Sequence, residues 1–475
     1  MNSIEPSLQI NKGISSASSK KKFFKARMSK DARFDGVFFT AVKTTGIYCR
    51  PICPANPPLE KNVIYFDTAV GAALAGFRPC LRCHPDSAPR LAGHLDTQSL
   101  FSRALKLIQQ GALQDQSLEN FASGLGISSR HLRDVFKKEL GISPKRYAIY
   151  QQCLFAKKLL HQSNLKVIDI AFAANFNSVR RFNEAMRQHI GLSPREIRQG
   201  KATASKQLKL QMHYRPPYAW KQLLSFLSAR TIDGLEWGDG QYYGRTIRYG
   251  STTGYFEVLA KPEKHCFEFT LQLNELKNLY AITQRLRVLF DLDAPIQHID
   301  GDLNRFIGKQ IKYQKGLRIP GIWNSFEAGV RAILGQQVSV GAARNLVTAL
   351  VENLGEEFKA GHPSGRLLFP EPAAVLNSEL AFFRMPQARK DTLRRLAEHY
   401  LNSSEPDNID QWLDLKGIGP WTANYVKLRA SKDPDIWLAG DAGLKNALKG
   451  VDSMPDIELA KPWRSYLTFQ LWNQL

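Results

Sequence analysis

The chain has 475 residues, 43% of them hydrophobic, and its 65 Lys and Arg against 43 Asp and Glu give a formal charge of +22. This length exceeds one ordinary core and predicts about three or four domains, while the apolar content excludes a disordered chain. Six cysteines are too few for a secreted disulfide scaffold, and no apolar run of about 18 residues predicts a membrane helix. Such a basic chain is expected to bind a polyanion in the reducing cytoplasm, with nucleic acid of the nucleoid favoured over a membrane surface.

The N-terminal part of the chain predicts a tail and a small domain. Residues 1–22 are rich in Ser and Lys and lack the apolar segment of a signal peptide, so they are predicted to form a flexible tail. Residues 23–92 contain short apolar runs broken by Gly and Pro, among them VFFTAV and VIYF, which predict the strands of a small α/β domain. A unit of this size buries only a small core, so it needs a cross-link such as a bound metal to hold it together.

Four cysteines in this domain form two close pairs with the spacing C-x3-C-x26-C-x2-C. They are Cys49, Cys53, Cys80 and Cys83. Two such pairs on a segment that can fold back suit the tetrahedral coordination of one Zn²⁺ ion, whereas four unrelated buried thiols are the alternative. The two other cysteines, Cys153 and Cys266, are isolated along the chain and are predicted to be core residues.

The sequences DGVFFTAVKTTGIYCRPICP and AGFRPCLRCHPD, which carry both cysteine pairs, resemble the zinc domain of the Ada alkylation-response family. The resemblance implies that Cys49, the first cysteine of the first pair, irreversibly accepts a methyl group from a methylated DNA phosphotriester. A methyl phosphotriester is neutral, so it can approach a cluster of four zinc-bound thiolates that would repel an ordinary phosphate. Because methylation of Cys49 removes one negative charge, it is expected to switch on sequence-specific DNA binding.

Residues 96–200 change to helical periodicity and contain two similar halves. Each half predicts a short helix, a turn and a second helix, and each ends in G-x-S-P. The apolar residues predicted to pack between these helices are Ala122, Leu125, Ile127, Leu132 and Phe136 in the first half and Ile170, Phe176, Phe182 and Met186 in the second. The basic residues predicted to face outward from the second helices are Arg130, Arg133, Arg180 and Arg181. A helical bundle with a solvated basic face is the alternative.

This tandem arrangement resembles the DNA-binding domain of AraC-type regulators, an all-α double helix-turn-helix domain. The resemblance implies that each second helix enters the major groove of DNA, where the four outward arginines would contact it. Promoter DNA and RNA polymerase are the partners that such a regulator implies. The sequence NF stands before the second recognition helix where GF is usual, which is expected to alter the turn and to leave the helix in place.

The C-terminal half begins with strand patterns and continues with helical ones. Residues 207–290 include TGYFEVLA and HCFEFTLQL, which predict strands, and residues 291–475 return to helical spacing. Within the latter, LDLKGIGPWTANYVKLRA predicts a helix, a hairpin at Gly417 and Gly419, and a second helix that begins near Pro420. Backbone N–H groups at such a helix end can bind a phosphate, and glycines are expected there because a Cβ would block the approach.

From about residue 208 onward, the segments GVRAILGQQVSVGAARNLV, GIGPWTANYVKLRA, GDAGLKNAL and KPWRSYLTFQLW resemble the AlkA type of 3-methyladenine DNA glycosylase II, a helix-hairpin-helix family. The resemblance implies a TBP-like antiparallel β-sheet domain followed by an all-α glycosylase domain. It assigns the catalytic carboxylate to Asp441 and the aromatic lining of the base pocket to Trp421, Tyr425 and Trp472. Gln337 stands where some relatives insert an apolar wedge into DNA. Asp441 acting only as a helix N-cap, and Trp472 only as a core residue, are the alternatives.

The implied chemistry suits these residue types. An alkylated purine of the 3-methyladenine type is already cationic, so the enzyme has mainly to flip the nucleotide, stack the base and stabilise an oxocarbenium-like sugar. Trp421 occupies the place where other members of the superfamily carry a Schiff-base lysine, which predicts a monofunctional glycosylase that leaves an abasic site. No cysteine follows Cys266, so an iron–sulfur cluster is not expected.

The whole chain is therefore predicted to be a multidomain α+β protein that repairs alkylated double-stranded DNA and regulates the adaptive response, as a monomer with Zn²⁺ as its cofactor. One alternative is a transcription factor that senses alkylation damage without glycosylase catalysis. Another is a zinc-stapled scaffold without methyl transfer. The sequence PCHR of an O6-methylguanine methyltransferase does not occur, so that activity is not expected.

Overall fold

The computed structural model describes residues 16–89, 100–109, 111–113, 116–198, 207–307, 311–359, 362–449 and 456–474. The chain divides into two compact units, one made of Met1–Pro216, Glu263–Cys266 and Leu276–Gln284, and the other of Pro217–Pro262, Phe267–Glu275 and Arg285–Leu475. Across the described ranges, no helix combines the length and the apolar character needed to cross a bilayer. The predicted multidomain α+β architecture is confirmed, while the four domain boundaries stay predictions.

The first unit begins with a small sheet flanked by two helices. Its elements are α1 (Ala17–Met28), β1 (Phe39–Val42), β2 (Ile47–Cys49), β3 (Val63–Phe66), α2 (Ala69–Leu74) and β4 (Arg78–Pro79), and the sheet has the order β3-β1-β2-β4. Strand β2 is antiparallel to β1 and parallel to β4, with Tyr48 opposite Pro79. Because Cys49 ends β2 and Cys80 directly follows β4, this parallel pairing places the two cysteine pairs side by side.

Residues 17–22 belong to helix α1, so the prediction of a flexible tail over residues 1–22 is wrong for them; residues 1–15 lie outside the described residues. The side chain of Ser16 caps the helix, and Phe23 and Ala26 are buried. The buried Arg27 donates to Glu60 Oε2 at 2.6 Å and to the carbonyl oxygen of Pro58 at 3.0 Å. These contacts on the C-terminal half of the helix hold its lysine-rich first turns in place, which the composition alone did not indicate.

Among the described residues of the first unit, helices α3 to α9 follow and form two helix-turn-helix repeats around a long central helix. They are α3 (Leu100–Gln109), α4 (Leu118–Gly124), α5 (Ser129–Leu140), α6 (Pro144–Gln162), α7 (Val167–Ala173), α8 (Val179–Ile190) and α9 (Pro194–Ile197). The apolar residues predicted to pack between the helices are buried, apart from the half-buried Ile127. In each G-x-S-P sequence, the glycine ends one helix in the left-handed conformation and the serine caps the next helix, so the motif is a helix stop and a helix start.

A five-stranded antiparallel sheet follows these helices along the chain. Its elements are β5 (Leu208–His213), α10 (Trp220–Ser228), β6 (Glu236–Gly238), β7 (Tyr242–Tyr249), β8 (Thr252–Lys261), β9 (Cys266–Leu273) and α11 (Leu279–Leu289). The strand order is β5-β9-β8-β7-β6, and β7 runs antiparallel to both β6 and β8. The runs TGYFEVLA and HCFEFTLQL lie in β8 and β9, as their patterns predicted.

The rest of the second unit is helical. Its helices are α12 (Ile296–Ile307), α13 (Ser325–Leu334), α14 (Val340–Leu354), α15 (Pro372–Leu376), α16 (Gln387–Asn402), α17 (Pro420–Val426), α18 (Ala442–Ala447) and α19 (Arg464–Trp472). The segment before the glycine hairpin is a short 3-10 helix, Ile409–Asp414, and α17 begins at Pro420 as predicted. Two apolar clusters form the core of this region, and Trp421 and Tyr425 on α17 contact both.

Candidate functional site

The first candidate site is the cysteine cluster of the small sheet. The four Sγ atoms of Cys49, Cys53, Cys80 and Cys83 lie within 4.8 Å of one another. Thiolates around a tetrahedral Zn²⁺ ion stand about 3.8 Å apart, because each Zn–S bond is about 2.3 Å long. The cluster therefore has the donor atoms and the spacing that one Zn²⁺ ion requires.

The four sulfurs differ in exposure and in hydrogen bonding. Cys80 and Cys83 are buried, whereas Cys49 and Cys53 are half-buried. The backbone N–H of Arg82 donates to Cys80 Sγ, and that of Arg50 donates to Cys83 Sγ, each at 3.3 Å. Hydrogen bonding with Cys49, and to a lesser extent with Cys83, lowers the pKa of Cys53 to about 7, and the same bond raises the pKa of Cys49.

A buried ion pair between Arg50 and Asp35 lies beside the cysteine cluster and supports it. The guanidinium of Arg50, the residue after Cys49, donates to the carboxylate of Asp35, and its Nη1 atom donates to the carbonyl oxygen of Cys83 at 3.1 Å. Both side chains are nearly inaccessible to solvent. The positive charge of Arg50 is thus neutralised by Asp35, and its hydrogen bonds tie the first cysteine pair to the second.

The predicted DNA-reading arginines lie on the first turns of α5 and α8. Arg130, Arg133, Arg180 and Arg181 are exposed. Arg133 is held by Glu119 Oε1 at 3.1 Å and by Ser129 Oγ at 3.2 Å. The structure thus places all four at solvent-facing positions, as the helical pattern predicted; contact with DNA stays a prediction.

The second candidate site is a cavity of about 1040 Å³ in the second unit. The carboxylate of Asp441 lines it and accepts hydrogen bonds from both neighbouring indoles, Oδ2 from Trp421 Nε1 at 3.1 Å and Oδ1 from Trp472 Nε1 at 3.0 Å. Oδ1 also accepts from the backbone N–H of Leu444 at 2.9 Å, so Asp441 caps α18 as well. The structure therefore brings together the predicted carboxylate and two of the predicted aromatic residues.

Aromatic rings form much of the remaining wall of the cavity. Tyr425 stacks on Trp421 with ring centroids 5.4 Å apart and an angle of 24° between the planes. Phe226 of α10 is nearly parallel to Trp472, at 6.3 Å and 15°. All four rings line the cavity. Tyr425 and Trp472 thus line the same cavity as Asp441, and their contact with a base stays a prediction.

Sequence reasoning missed Phe226 and two arginines, Arg230 and Arg429, that also line the cavity. The guanidinium of Arg230 lies 3.6 Å from the centroid of Phe226. The guanidinium of Arg429 lies 4.8 Å from the same centroid and donates to the Tyr425 hydroxyl at 2.8 Å. Burial lowers the pKa of Arg230 to about 10, so the group stays charged at neutral pH. Residues 220–230, WKQLLSFLSAR, have the pattern of an ordinary amphipathic helix, and no spacing links them to Asp441.

The hairpin and the predicted wedge residue border the same cavity. Gly419 and Gln337 both line it, and Gln337 is exposed with a left-handed backbone, φ +56°. Gly417 has φ +99°, and a Cβ there would stand 2.0 Å from Thr392 Oγ1. A Cβ on Gly419 would meet no atom within 4 Å. Only Gly419 therefore leaves the open space that an approaching phosphate needs; Gly417 is required by packing inside the chain.

Replacing Gly417 by alanine is expected to lower the free energy of unfolding of the second unit by about 2 to 4 kcal/mol, because the new Cβ meets Thr392 and the residue must keep a positive φ. Denaturant unfolding of the full chain, followed by tryptophan fluorescence, measures this change. Gly419→Ala is the matched control, and it should change stability by less than about 0.5 kcal/mol. Equal losses in the two variants would contradict the packing role of Gly417.

Three family models match the chain. They are the metal binding domain of Ada over residues 22–86, a helix-turn-helix domain over residues 121–200, and the AlkA N-terminal domain over residues 209–324. The first covers the cysteine cluster. The second covers most of both helical repeats, and the third covers the five-stranded sheet together with helices α10, α11 and α12.

Curated relatives match the whole chain and each of its halves. A "Probable bifunctional transcriptional activator/DNA repair enzyme AlkA" from Mycobacterium tuberculosis is 33% identical over 95% of this chain and 96% of its own length. "DNA-3-methyladenine glycosylase 2" of Escherichia coli is 32% identical over 55% of this chain and 95% of its own length. The Escherichia coli "Bifunctional transcriptional activator/DNA repair enzyme Ada" is 32% identical over 36% of this chain and 47% of its own length.

Proposed function

This chain belongs to the family of AlkA-type bifunctional transcriptional activator and DNA repair proteins, and we propose that it excises alkylated purines from DNA and takes methyl groups from DNA phosphotriesters onto Cys49. The observation that carries the first activity is the Asp441 carboxylate, which three N–H donors hold at the wall of an aromatic cavity. The second activity rests on the half-buried Cys49 in a cluster of four thiols.

In the proposed excision, a damaged nucleotide leaves the duplex and its base enters the cavity between the aromatic rings. The C1′–N bond breaks, the bonding electrons leave with the purine, and the sugar develops positive charge. Asp441 lies in a fixed orientation and stabilises that charge electrostatically, and water then bonds to C1′ and loses a proton. The indoles of Trp421 and Trp472 hold the Asp441 carboxylate in place by hydrogen bonds and leave its negative charge intact.

Arg230 and Arg429 line the cavity and their charges oppose a cationic base, so the preference for alkylated purines must come from other groups of the wall. Arg230 and Arg429 are partly offset by the ring faces of Phe226 and Tyr425 that they contact. Trp421 contributes an electron-rich ring to the same cavity, and Asp441 contributes a negative charge. We therefore propose that the base stacks on the aromatic rings of the cavity with its sugar beside the Asp441 carboxylate, where attraction offsets the repulsion.

A monofunctional reaction is proposed because no described residue of the cavity wall offers an amine nucleophile. None of the described lining residues is a lysine, and the position that carries the Schiff-base lysine in the resembling enzymes is Trp421. The product is then an abasic site with an intact strand. A gel assay that shows strand cleavage without added base or a second enzyme would contradict this part of the proposal.

In the proposed methyl transfer, Cys49 Sγ attacks the methyl carbon of a methyl phosphotriester. A new S–C bond forms, the C–O bond breaks, and the phosphate leaves as an ordinary diester anion, so the Cys49 thioether is permanent. A bound Zn²⁺ ion would be held by Cys49, Cys53, Cys80 and Cys83 and would keep these thiols deprotonated at neutral pH. Arg50 and Asp35 hold the cluster in shape, and the exposed arginines of α5 and α8 would then read the promoter.

The experiment that tests the excision is incubation of the full chain with methylated duplex DNA, followed by chromatography of the ethanol-soluble fraction. Release of free 3-methyladenine and an equal number of abasic sites is expected. The rival reading, a transcription factor that only senses damage, would produce neither. In that case Asp441 would be the N-cap of α18 and nothing more.

Replacing Trp421 or Trp472 by phenylalanine is expected to slow base release by about tenfold, because each change removes one N–H donor to Asp441 and keeps an aromatic ring in the cavity. Single-turnover base release at saturating protein measures the effect. Trp220→Phe is the matched control, since its indole donates at 3.3 Å to the carbonyl oxygen of Gln241, away from the cavity. Unchanged rates in both cavity variants would show that the indoles act by stacking alone.

A further inference from the structure

The loop between α13 and α14, residues 335–339 and here named the rim loop, borders the cavity and carries Gln337. The neighbouring Gln336 also lines the cavity, and its side chain bonds to the hairpin. Its amide nitrogen donates to the carbonyl oxygen of Gly417 at 3.2 Å and to Thr422 Oγ1 at 3.1 Å. One side chain thus joins the rim loop to the glycine hairpin and to helix α17.

Helix α16 supports the same two segments from beneath. Arg389 Nη2 donates to the backbone carbonyl oxygen of Gln336 at 2.9 Å. Two turns further on, Arg395 Nη1 donates to the carbonyl oxygen of Lys416 at 3.1 Å, and Thr392 lies where a Cβ on Gly417 would stand. The rim loop and the hairpin are therefore fixed both to one helix and to each other.

We propose that Gln336 is a positioning residue that sets the placement of the rim loop relative to the hairpin, so that both segments can engage one DNA duplex together. The proposal rests on the proposed glycosylase function. Gln337 has φ +56°, a conformation that costs a residue with a Cβ about 1 kcal/mol or more and persists only where neighbouring contacts hold it. Gln336 supplies those contacts through its side chain on one side and its carbonyl oxygen on the other.

The expected effect of losing the Gln336 hydrogen bonds is limited to duplex DNA in which one base is missing from the stack. Intact duplex can be bound by the hairpin and by general charge attraction, which need no fixed rim loop. Duplex with a gap in the stack gains affinity only if Gln337 enters the gap while the hairpin holds the backbone. Loss of the Gln336 bonds should therefore reduce the preference for gapped DNA and leave the affinity for intact duplex unchanged.

The test compares the full-length native chain with Gln336→Glu and Gln336→Met, two variants of similar size that cannot donate to Gly417. The measured quantity is the ratio of the affinities for a duplex with a tetrahydrofuran abasic analogue and for the same duplex intact. The ratio is expected to fall about tenfold in both variants, as two hydrogen bonds are lost. Gln222→Met, which removes a similar 3.2 Å amide bond to Gln314, is the control and should keep the ratio.

The outcomes separate this proposal from the one on which it rests. Thermal unfolding is recorded for each variant, because a purely structural role would lower the midpoint and weaken both duplexes equally. Equal loss for both duplexes, or a ratio within twofold of the native value, overturns the positioning role. A native chain with no preference for the abasic analogue and no base release contradicts the glycosylase function itself, and the role of Gln336 with it.

Discussion

Asp441→Asn is expected to lower the rate of alkylpurine release by about a thousandfold, the largest effect of any single change in the second unit. Asparagine has nearly the same shape, and its oxygen can still accept from Trp472 and from the Leu444 N–H. What it lacks is the negative charge that faces the developing positive charge of the sugar. Single-turnover release of 3-methyladenine from methylated duplex, with protein in excess, measures this rate without interference from product release.

The control for this experiment is Asp456→Asn, which also changes a helix-capping aspartate of the second unit. Asp456 Oδ1 accepts from the backbone N–H of Glu458 at 3.0 Å. The short 3-10 helix that it caps, Ile457–Ala460, does not line the cavity. This variant should release base at the native rate. Retention of more than about a tenth of the native rate by Asp441→Asn would place the carboxylate outside the chemistry and leave it as an N-cap.

The asparagine variant also provides a binding measurement that the native protein does not. Because it is expected to keep the cavity and lose the chemistry, it should hold substrate DNA long enough for an affinity to be measured. If Asp441→Asn binds methylated duplex at least as tightly as the native chain does, Asp441 acts in the reaction alone and not in binding. A large loss of affinity would instead mean that Asp441 contributes mainly to binding a cationic base.

The features that the sequence predicted well are those set by local spacing. The cysteine cluster needed only two short pairs and a segment that returns, and the parallel pairing of β2 with β4 places Cys49 beside Cys80. The two G-x-S-P sequences indicated the repeat, and Gly191 and Ser193 each satisfy backbone groups at a helix end. Such signals are contained within a few residues, so no tertiary information is required to interpret them.

The features that the sequence could not predict depend on contacts between distant segments. Phe226 lines the cavity because α10 packs against the C-terminal helices, and nothing in the sequence around it differs from a core helix. The hydrogen bonds that hold Gln336 depend on the approach of α16 to two loops at once. For Gly417 the residue type was predicted and its reason was not, since the Cβ it lacks would strike Thr392 and not a phosphate.

Cys49→Ala is expected to abolish methyl uptake, so that the full chain gains no methyl group after exposure to DNA with methyl phosphotriesters, while the native chain gains one. Intact-protein mass spectrometry measures the gain, and peptide mapping locates it. The structure reduces the choice of acceptor from four thiols to two, because Cys80 and Cys83 are buried and each accepts a backbone N–H. Between the half-buried pair, the resemblance to the Ada family points to Cys49, the first cysteine of the first pair, as the acceptor.

Cys53→Ala is the matched control for this prediction, since it removes one ligand from the cluster and keeps the proposed acceptor. It should still gain a methyl group, at a reduced rate, and zinc content measured for both variants separates loss of the acceptor from loss of the metal.

Methylation of Cys49 should strengthen DNA binding, because one fewer negative charge about 10 Å from a phosphate is worth roughly 0.4 to 1.7 kcal/mol. Several phosphates in range give a gain of about tenfold or more at low salt, which should shrink as salt is raised. A methyl group on Cys53, or a gain that does not depend on salt, would contradict the electrostatic switch.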